Sequence, residues 1–324
     1  MASTNVQQEN EGENLTLSLQ KENSWAQPYP LYLFQNFWCP KIHIEAIHRF
    51  QQHFQAKDND VIVASFPKSG TIWMKALAFA ISSHQSFSSF ENHPLLTSNP
   101  HELVPFLEFT FGGVNHDIQN QILEPRIFGT HTPFHSLPAS IKDSDCKIIY
   151  ICRDPFDNFV SAWTYFNKVR PLSLPAVTKE EAFEMYCNGI VDYGPWWSHV
   201  LGFWNESVAK PNKVMFLKYE DLKDNTGFHV RKIGELLGCP FTEEDEKNGK
   251  VESIIKLCSF EKMKDLEVNK SGVVGRGRIE KKNFFRKGEK GDWVNYFSPP
   301  MVEKLSKIVA EKLGDSGLSF KKIS

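Results

Sequence analysis

The string Phe66-Pro-Lys-Ser-Gly-Thr71 holds a lysine, two hydroxyls and a glycine between an apolar run and a helical pattern. At such a strand–turn–helix junction, free backbone N–H groups and the positive end of the helix dipole point at one spot. Gly70 lets the backbone approach a ligand closely. Lys68 adds a full charge, and Ser69 and Thr71 add hydroxyl donors. The chemistry that fits is binding of a phosphate or sulfate. The string is not the G-x-x-x-x-G-K-[ST] loop of nucleoside triphosphatases, because its lysine precedes its glycine and no first glycine stands at the required spacing.

Arg153 follows another apolar run and opens Arg153-Asp-Pro-Phe-Asp-Asn-Phe-Val-Ser161. A guanidinium fork with the Ser161 hydroxyl suits a second phosphate. Pairing of Arg153 with Asp154 or Asp157 at a helix start accounts for it equally well. His131 stands after the short run Arg126–Thr130, where an imidazole could take a proton from a hydroxyl nucleophile near neutral pH. His131 and His135 bracket Pro133, so they do not share a helix face as a zinc pair would. No acidic metal cluster is visible, and no metal is expected.

These residues need a scaffold that brings strand ends together. Val61–Phe66, Arg126–Thr130, Cys146–Cys152 and Lys213–Lys218 read as strands. Ile72–Ser82, Pro155–Phe166 and Glu220–Leu237 read as helices, the last stopping at Gly238. Apolar strands alternating with helices predict an α/β fold in a single domain: a central parallel sheet flanked by helices, with a P-loop-like strand-loop-helix for the anion. Ligands of such sheets gather outside the carboxyl ends of the strands.

The composition is that of a globular protein, 41% apolar and 23% charged over 324 residues. A net charge of −2 excludes a general nucleic-acid binder, which needs a strongly basic face. The scattered cysteines form no C-x-x-C pair, and a reducing compartment is inferred. Residues 1–24 are polar and predict a flexible N-terminal tail ahead of a domain over 25–324. Neither a secretory signal nor a membrane-spanning run is visible, so the expected location is cytoplasmic, with no membrane partner.

Taken in order, the motifs resemble those of the cytosolic sulfotransferases, of the plant type that acts on flavonols, steroids and other small hydroxylated metabolites. The resemblance runs from about Phe34 to near the C-terminus. It rests on F-P-K-S-G-T-I-W at 66–73, G-T-H-T-P at 129–133, R-D-P-F-D-N-F-V-S-A-W at 153–163, K-Y-E-D-L at 218–222, C-S-F-E-K-M at 258–263 and F-F-R-K-G-E-K-G-D-W at 284–293. It implies transfer of a sulfuryl group from 3′-phosphoadenosine 5′-phosphosulfate (PAPS) to an acceptor hydroxyl. It further implies that Lys68 stabilises the leaving phosphate, and that Ser69, Gly70, Thr71 and Ile72 line the 5′-phosphate loop. Trp73 and Phe260 would stack on adenine with Tyr219 beside it. Arg153, Ser161, Arg286, Lys287 and Gly288 would bind the 3′-phosphate, and His131 would be the base.

Two departures stand out. Ile72 replaces the usual second threonine of the phosphate loop, and Gly129 replaces the lysine that animal relatives place before the Thr-His pair. The second departure shifts sulfuryl stabilisation toward Lys68 and His131. The dimerisation pattern of animal relatives is not evident near Asp265–Lys282, so oligomeric state stays open.

Sulfuryl transfer, like phosphoryl transfer, needs an in-line nucleophile and stabilised charge on the leaving oxygen. Sulfate carries less charge than phosphate, so a lysine can serve in place of a metal ion. Phe34, Phe37, Phe106, Phe109, Phe134 and Tyr165 are candidates for an apolar acceptor wall, or for ordinary core. The segment Glu267–Lys282 is expected to act as a lid over the cofactor, or to be a plain surface loop. Rival functions are a nucleotide-dependent phosphoryl transferase and a silent binder of the same nucleotide.

Overall fold

The computed structural model describes residues 16–26, 29–87, 90–110, 124–275 and 279–320. Lys21–Glu22 (β1), Leu31–Phe34 (β2) and Phe37–Pro40 (β3) form a small antiparallel sheet, which the sequence analysis did not anticipate. The β2–β3 hairpin turns at Gln35-Asn36, both with positive φ (49° and 66°), between the paired Phe34 and Phe37. Residues 1–15 of the expected tail lie outside the described residues. In the rest of that tail Lys21 and Glu22 pair with Tyr32 and Leu31, and Trp25, where the expected domain begins, is buried. Lys41–His53 (α1) follows and buries Ile44, Ala46, Ile47 and Phe50.

The main sheet contains Val61–Ser65 (β4), Ile127–Thr130 (β5), Lys147–Cys152 (β6) and Val214–Lys218 (β7), in the order β5-β4-β6-β7. Every pairing in it is parallel. The central pair β4 and β6 is buried on both faces, as their unbroken apolar character requires. The two-residue alternation of side chains divides the core cleanly. Ile62, Ala64, Ile148 and Tyr150 feed one apolar cluster, and Val61, Val63, Ile149 and Ile151 feed the other. At the entry end of the sheet Arg126 grips Asp60, with Nε donating to Oδ1 at 2.7 Å and Nη2 to Oδ2 at 2.5 Å. Both side chains are buried.

Helices cover both faces. Thr71–Ser82 (α2) starts from Gly70, whose φ of 101° turns the chain out of the loop after β4. Pro100–Leu103 (α3) and Leu107–Thr110 (α4) fold over the end of β5. Pro155–Val169 (α5) follows β6, with Pro155 in its first turn and Asp154 as its cap, accepting from the Phe156 N–H at 2.9 Å. Trp196–Ala209 (α6) precedes β7. The single helix expected over 220–237 is two, Tyr219–Asp224 (α7) and Thr226–Leu236 (α8). Asn225 breaks it, at φ −141° and ψ 64°, and its side chain caps the second piece by accepting from the Phe228 N–H at 3.2 Å. Phe260–Asp265 (α9) and Glu267–Lys270 (α10) lead into the hairpin of Val273–Val274 (β8) and Ile279–Glu280 (β9). Pro299–Leu313 (α11) packs on α6.

Candidate active site

The loops that leave β4, β5, β6 and β7 bring most of the sequence motifs to one edge of the sheet. In the first of them Lys68 takes a left-handed backbone, φ 67°, which for a non-glycine residue stores about 1–3 kcal/mol of strain. Its Nζ sits 3.5 Å from the centre of the Tyr165 ring and 5.8 Å from that of Phe284. Burial pushes the ammonium down to a pKa of about 7, and Arg153, Arg286 and Lys168 push in the same direction. Cations gathered this closely call for an anion.

The rest of the loop is braced from behind. Asn158 on α5 donates through Nδ2 to the Pro67 carbonyl oxygen at 2.9 Å and to Ser69 Oγ at 3.2 Å. Ser65 and Thr71 share a 2.7 Å hydroxyl contact. A Cβ at Gly70 would stand 2.7 Å from Cδ2 of Tyr219, so ring and loop touch directly. Ile72 is half-buried and packs with the second core cluster.

Arg153 leaves β6 beneath the C-terminal motif. Its Nη2 donates to the Glu289 carbonyl oxygen at 2.5 Å, and its guanidinium lies 4.7 Å over the Tyr219 ring. Its Nε is buried with no hydrogen-bond partner among the described residues. The expected ion pair with Asp157 exists at 3.7 Å, but Asp157 has stronger business. It accepts from the N–H groups of Gly291 at 2.6 Å and Trp293 at 3.0 Å, and so fixes the motif onto α5. Arg286 and Lys287 each donate to the buried Asp292 at 2.6 Å. Tyr219 donates to the Gly288 carbonyl oxygen at 2.9 Å. Trp73 meets Tyr219 edge-on at 5.4 Å. Phe260 backs Gly288 so tightly that a Cβ there would lie 2.6 Å from its ring. Ser161 is buried on α5, with no hydrogen bond to Arg153 among the described residues.

His131 sits at the mouth of β5, beside the strand that leads into the phosphate loop. Its Nδ1 lies 2.8 Å from the Ser65 carbonyl oxygen. A carbonyl only accepts, so Nδ1 carries the proton and Nε2 keeps its lone pair. The backbone is held too: the His131 N–H donates to Glu108 Oε1 at 2.7 Å, and its carbonyl oxygen lies 2.9 Å from His199 Nε2. Burial pushes the imidazole down to a pKa of about 3, so it is neutral throughout the physiological range.

Aromatic rings enclose it, with Phe106 at 4.7 Å and Tyr193 at 5.7 Å. Phe109 meets His43 at a tilt of 52°, and His43 stacks on Tyr193. Of the aromatic candidates, Phe106 therefore stands at His131, and Phe109 packs behind it against Phe106 and His43. Tyr165 stands at Lys68. Phe37 is a buried support for Tyr193, stacked 7° from parallel, with Phe34 behind it. Phe134 packs on Phe203.

The sequence analysis missed Lys75, Glu108, Asn158, Tyr193 and Asp292. Asp292 had no clear signal, since Glu289 stands nearer to Arg286 and Lys287 along the chain. Tyr193 acts from a positive φ of 65°, which no pattern of residue types announces. The expected lid, Glu267–Lys282, is built from α10 and the β8–β9 hairpin, with residues 276–278 outside the described set. It is tied to α3 and its cap by Asn99 donating to Asn269 at 2.8 Å and by Lys281 pairing with Glu102 at 2.8 Å.

The sulfotransferase domain family matches residues 58–317. The chain belongs to the sulfotransferase family. This sulfotransferase is 49% identical to cytosolic sulfotransferase 15 of Arabidopsis thaliana, over 94% of the chain and 85% of that protein. It is 43% identical to flavonol 3-sulfotransferase of Flaveria bidentis, over 91% and 95%. Among solved structures it is similar to mouse sulfotransferase SULT7A1 complexed with PAP, with a TM-score of 0.68, 25% identity and coverage of 88% and 95%.

Proposed function

We propose that this sulfotransferase transfers the sulfuryl group of PAPS to a hydroxyl of a small, largely apolar acceptor in the cytosol, with His131 as base. Three observations support the donor: the cation cluster around Lys68, the phosphate-type loop before α2, and the similarity to a sulfotransferase complexed with PAP. The flavonol sulfotransferase among its relatives and the rings of Phe106, Phe109 and Tyr193 support an aromatic or polycyclic acceptor. The cytosolic names of relatives support the location.

In this mechanism the acceptor oxygen attacks sulfur as Nε2 of His131 takes its proton. The new O–S bond forms in line with the breaking bond between sulfur and the bridging oxygen. That oxygen keeps the electron pair and leaves on the 5′-phosphate of PAP. Lys68 stabilises the charge gathering there, where a buried donor is worth most. Gly70, Thr71 and the first N–H groups of α2 hold the 5′-phosphate, with Ser69 and Ile72 shaping the loop. Arg153, Ser161, Arg286, Lys287 and Gly288 receive the 3′-phosphate, and Trp73, Tyr219 and Phe260 frame adenine. The donor's negative charge stabilises the imidazolium as it forms.

The observation that carries the base assignment is the Ser65 carbonyl oxygen on Nδ1 of His131, which sets the tautomer a base requires. The test is a rate series across substituted phenols with labelled donor. His131→Ala should lose roughly 10²–10⁴-fold, and phenols of lower pKa should lose less. An equal loss across the series would remove proton abstraction from His131.

A further inference from the structure

Lys75 is the one charged residue of α2 and is fully buried, where the apolar side chains around it would accommodate a methionine. Burying an ammonium costs several kcal/mol unless its hydrogen bonds are met. Here Nζ donates to the Val104 carbonyl oxygen at 2.8 Å, lies 3.3 Å from His101 Nδ1 and sits 3.1 Å over the Phe106 ring. His101 belongs to α3, while Val104 and Phe106 lie in the segment between α3 and α4, which regular structure holds only weakly. Pro105 accepts from the Gly129 N–H at 2.8 Å, and Phe106 makes a single β-bridge to Gly129.

Gly129 is what lets the lysine through. A Cβ on it would stand 2.3 Å from Cε and 2.5 Å from Nζ of Lys75. The ammonium thus emerges through a notch in β5, two residues before His131. The segment it anchors touches the histidine twice, through the Phe106 ring and through Glu108 Oε1 on the His131 N–H.

We propose that Lys75, passing through the notch at Gly129, is a positioning residue that fixes residues 104–108 and thereby sets His131 and the Phe106 wall for the acceptor. The inference rests on His131 being the base. A methionine would fill the same space, but it would neither donate to Val104 nor attract the ring face.

Lys75→Met tests this, with His131→Ala measured beside it. Donor-side residues are untouched, so the PAP Kd should stay within about twofold of wild type. The kcat should fall roughly 10–100-fold and the acceptor KM should rise, the scale expected when a reacting group is displaced by about 1 Å. The thermal midpoint should hold or rise, because a buried charge is gone; a merely structural lysine would lose stability together with activity. Gly129→Ala should give the same kinetic signature, since its Cβ evicts the lysine. That substitution should add little in a Lys75→Ala background. Acceptor turnover within threefold of wild type in folded Lys75→Met, or equal losses in donor and acceptor terms, overturns the inference. If Lys75→Met does not fold, Gly129→Ala decides by the same readouts. A fully active His131→Ala would sink the base assignment instead, and a slow Lys75→Met beside it would still mark the segment as rate-setting.

Discussion

Raising the pH from 7 to 9 should strip this sulfotransferase of much of its affinity for PAP, through one group. Lys68 is held at a pKa of about 7 in the free protein by burial and by Arg153, Arg286 and Lys168. Near pH 7 about half the molecules therefore carry a neutral Lys68, and at pH 9 about 99% do. PAP returns negative charge to the cluster and restores the proton. Binding at high pH thus takes up a proton, and affinity falls as pH rises. The slope approaches tenfold per unit, about 1.36 kcal/mol, and because half of Lys68 is already neutral at pH 7 the loss across the interval is at most roughly fiftyfold. Arginines do not titrate here, and phosphate groups with a second pKa of about 6 are already ionised. The assay is titration calorimetry in two buffers of different ionisation enthalpy, which counts the protons directly. Lys68→Met should bind PAP weakly with no slope, converging on wild type at pH 9. A flat wild-type profile between pH 7 and 9, or an unchanged slope in Lys68→Met, would refute the cation-cluster argument.

Arg153→Ala should cost PAP binding roughly 1.5–3 kcal/mol, the worth of a charged hydrogen bond, and should cost its analogue without the 3′-phosphate much less; binding assays with both ligands decide. Gly70→Ala should weaken PAP at least tenfold, because its Cβ would stand 2.7 Å from Tyr219 at a φ of 101°; an unchanged Kd would show that the loop adapts. The acceptor kcat/KM should show no histidine-type rise between pH 5 and 7, since burial holds His131 at about 3; a limb near 6.5 that vanishes in His131→Ala would contradict this. Asp60→Ala should destabilise the fold by about 3–5 kcal/mol, because it strands the buried Arg126; denaturant unfolding measures it.

The main sheet was legible because β4 and β6 are buried on both faces and so carry no polar alternation. The strand–loop–helix around Lys68 was legible because an apolar strand, a glycine turn and an apolar helix follow one another in the sequence. The β2–β3 hairpin was not, since its turn is Gln35-Asn36 rather than the Asn-Gly or Asp-Gly pair that positive φ favours. The break at Asn225 hid inside an otherwise continuous helical pattern and shows only as an unusual backbone angle. Arg153 could be placed near a ligand or near Asp157 from its position, and the structure shows the Asp157 pairing at 3.7 Å. Lys75 and Glu108 were invisible for a different reason: a lysine among alanines and leucines reads as an exposed helix face until the notch at Gly129 is seen.

The strand order has a consequence for how the molecule is made. Val61 lies beside Ile127 and Lys147, and Ile148 beside Val214, so no two neighbours in the main sheet are joined by a tight hairpin. Each pairing must close a long loop before it gains anything, which slows folding and prolongs exposure of apolar strands. On the ribosome, β4 emerges and waits until Cys152 has followed before both of its partners, β5 and β6, are complete. Arg286 and Lys287 arrive after all four strands, so the nascent chain passes through a stage in which its sheet is assembled but the proposed anion site is open. Nucleotide present during synthesis or refolding would engage only the finished molecule and draw the population toward it by mass action.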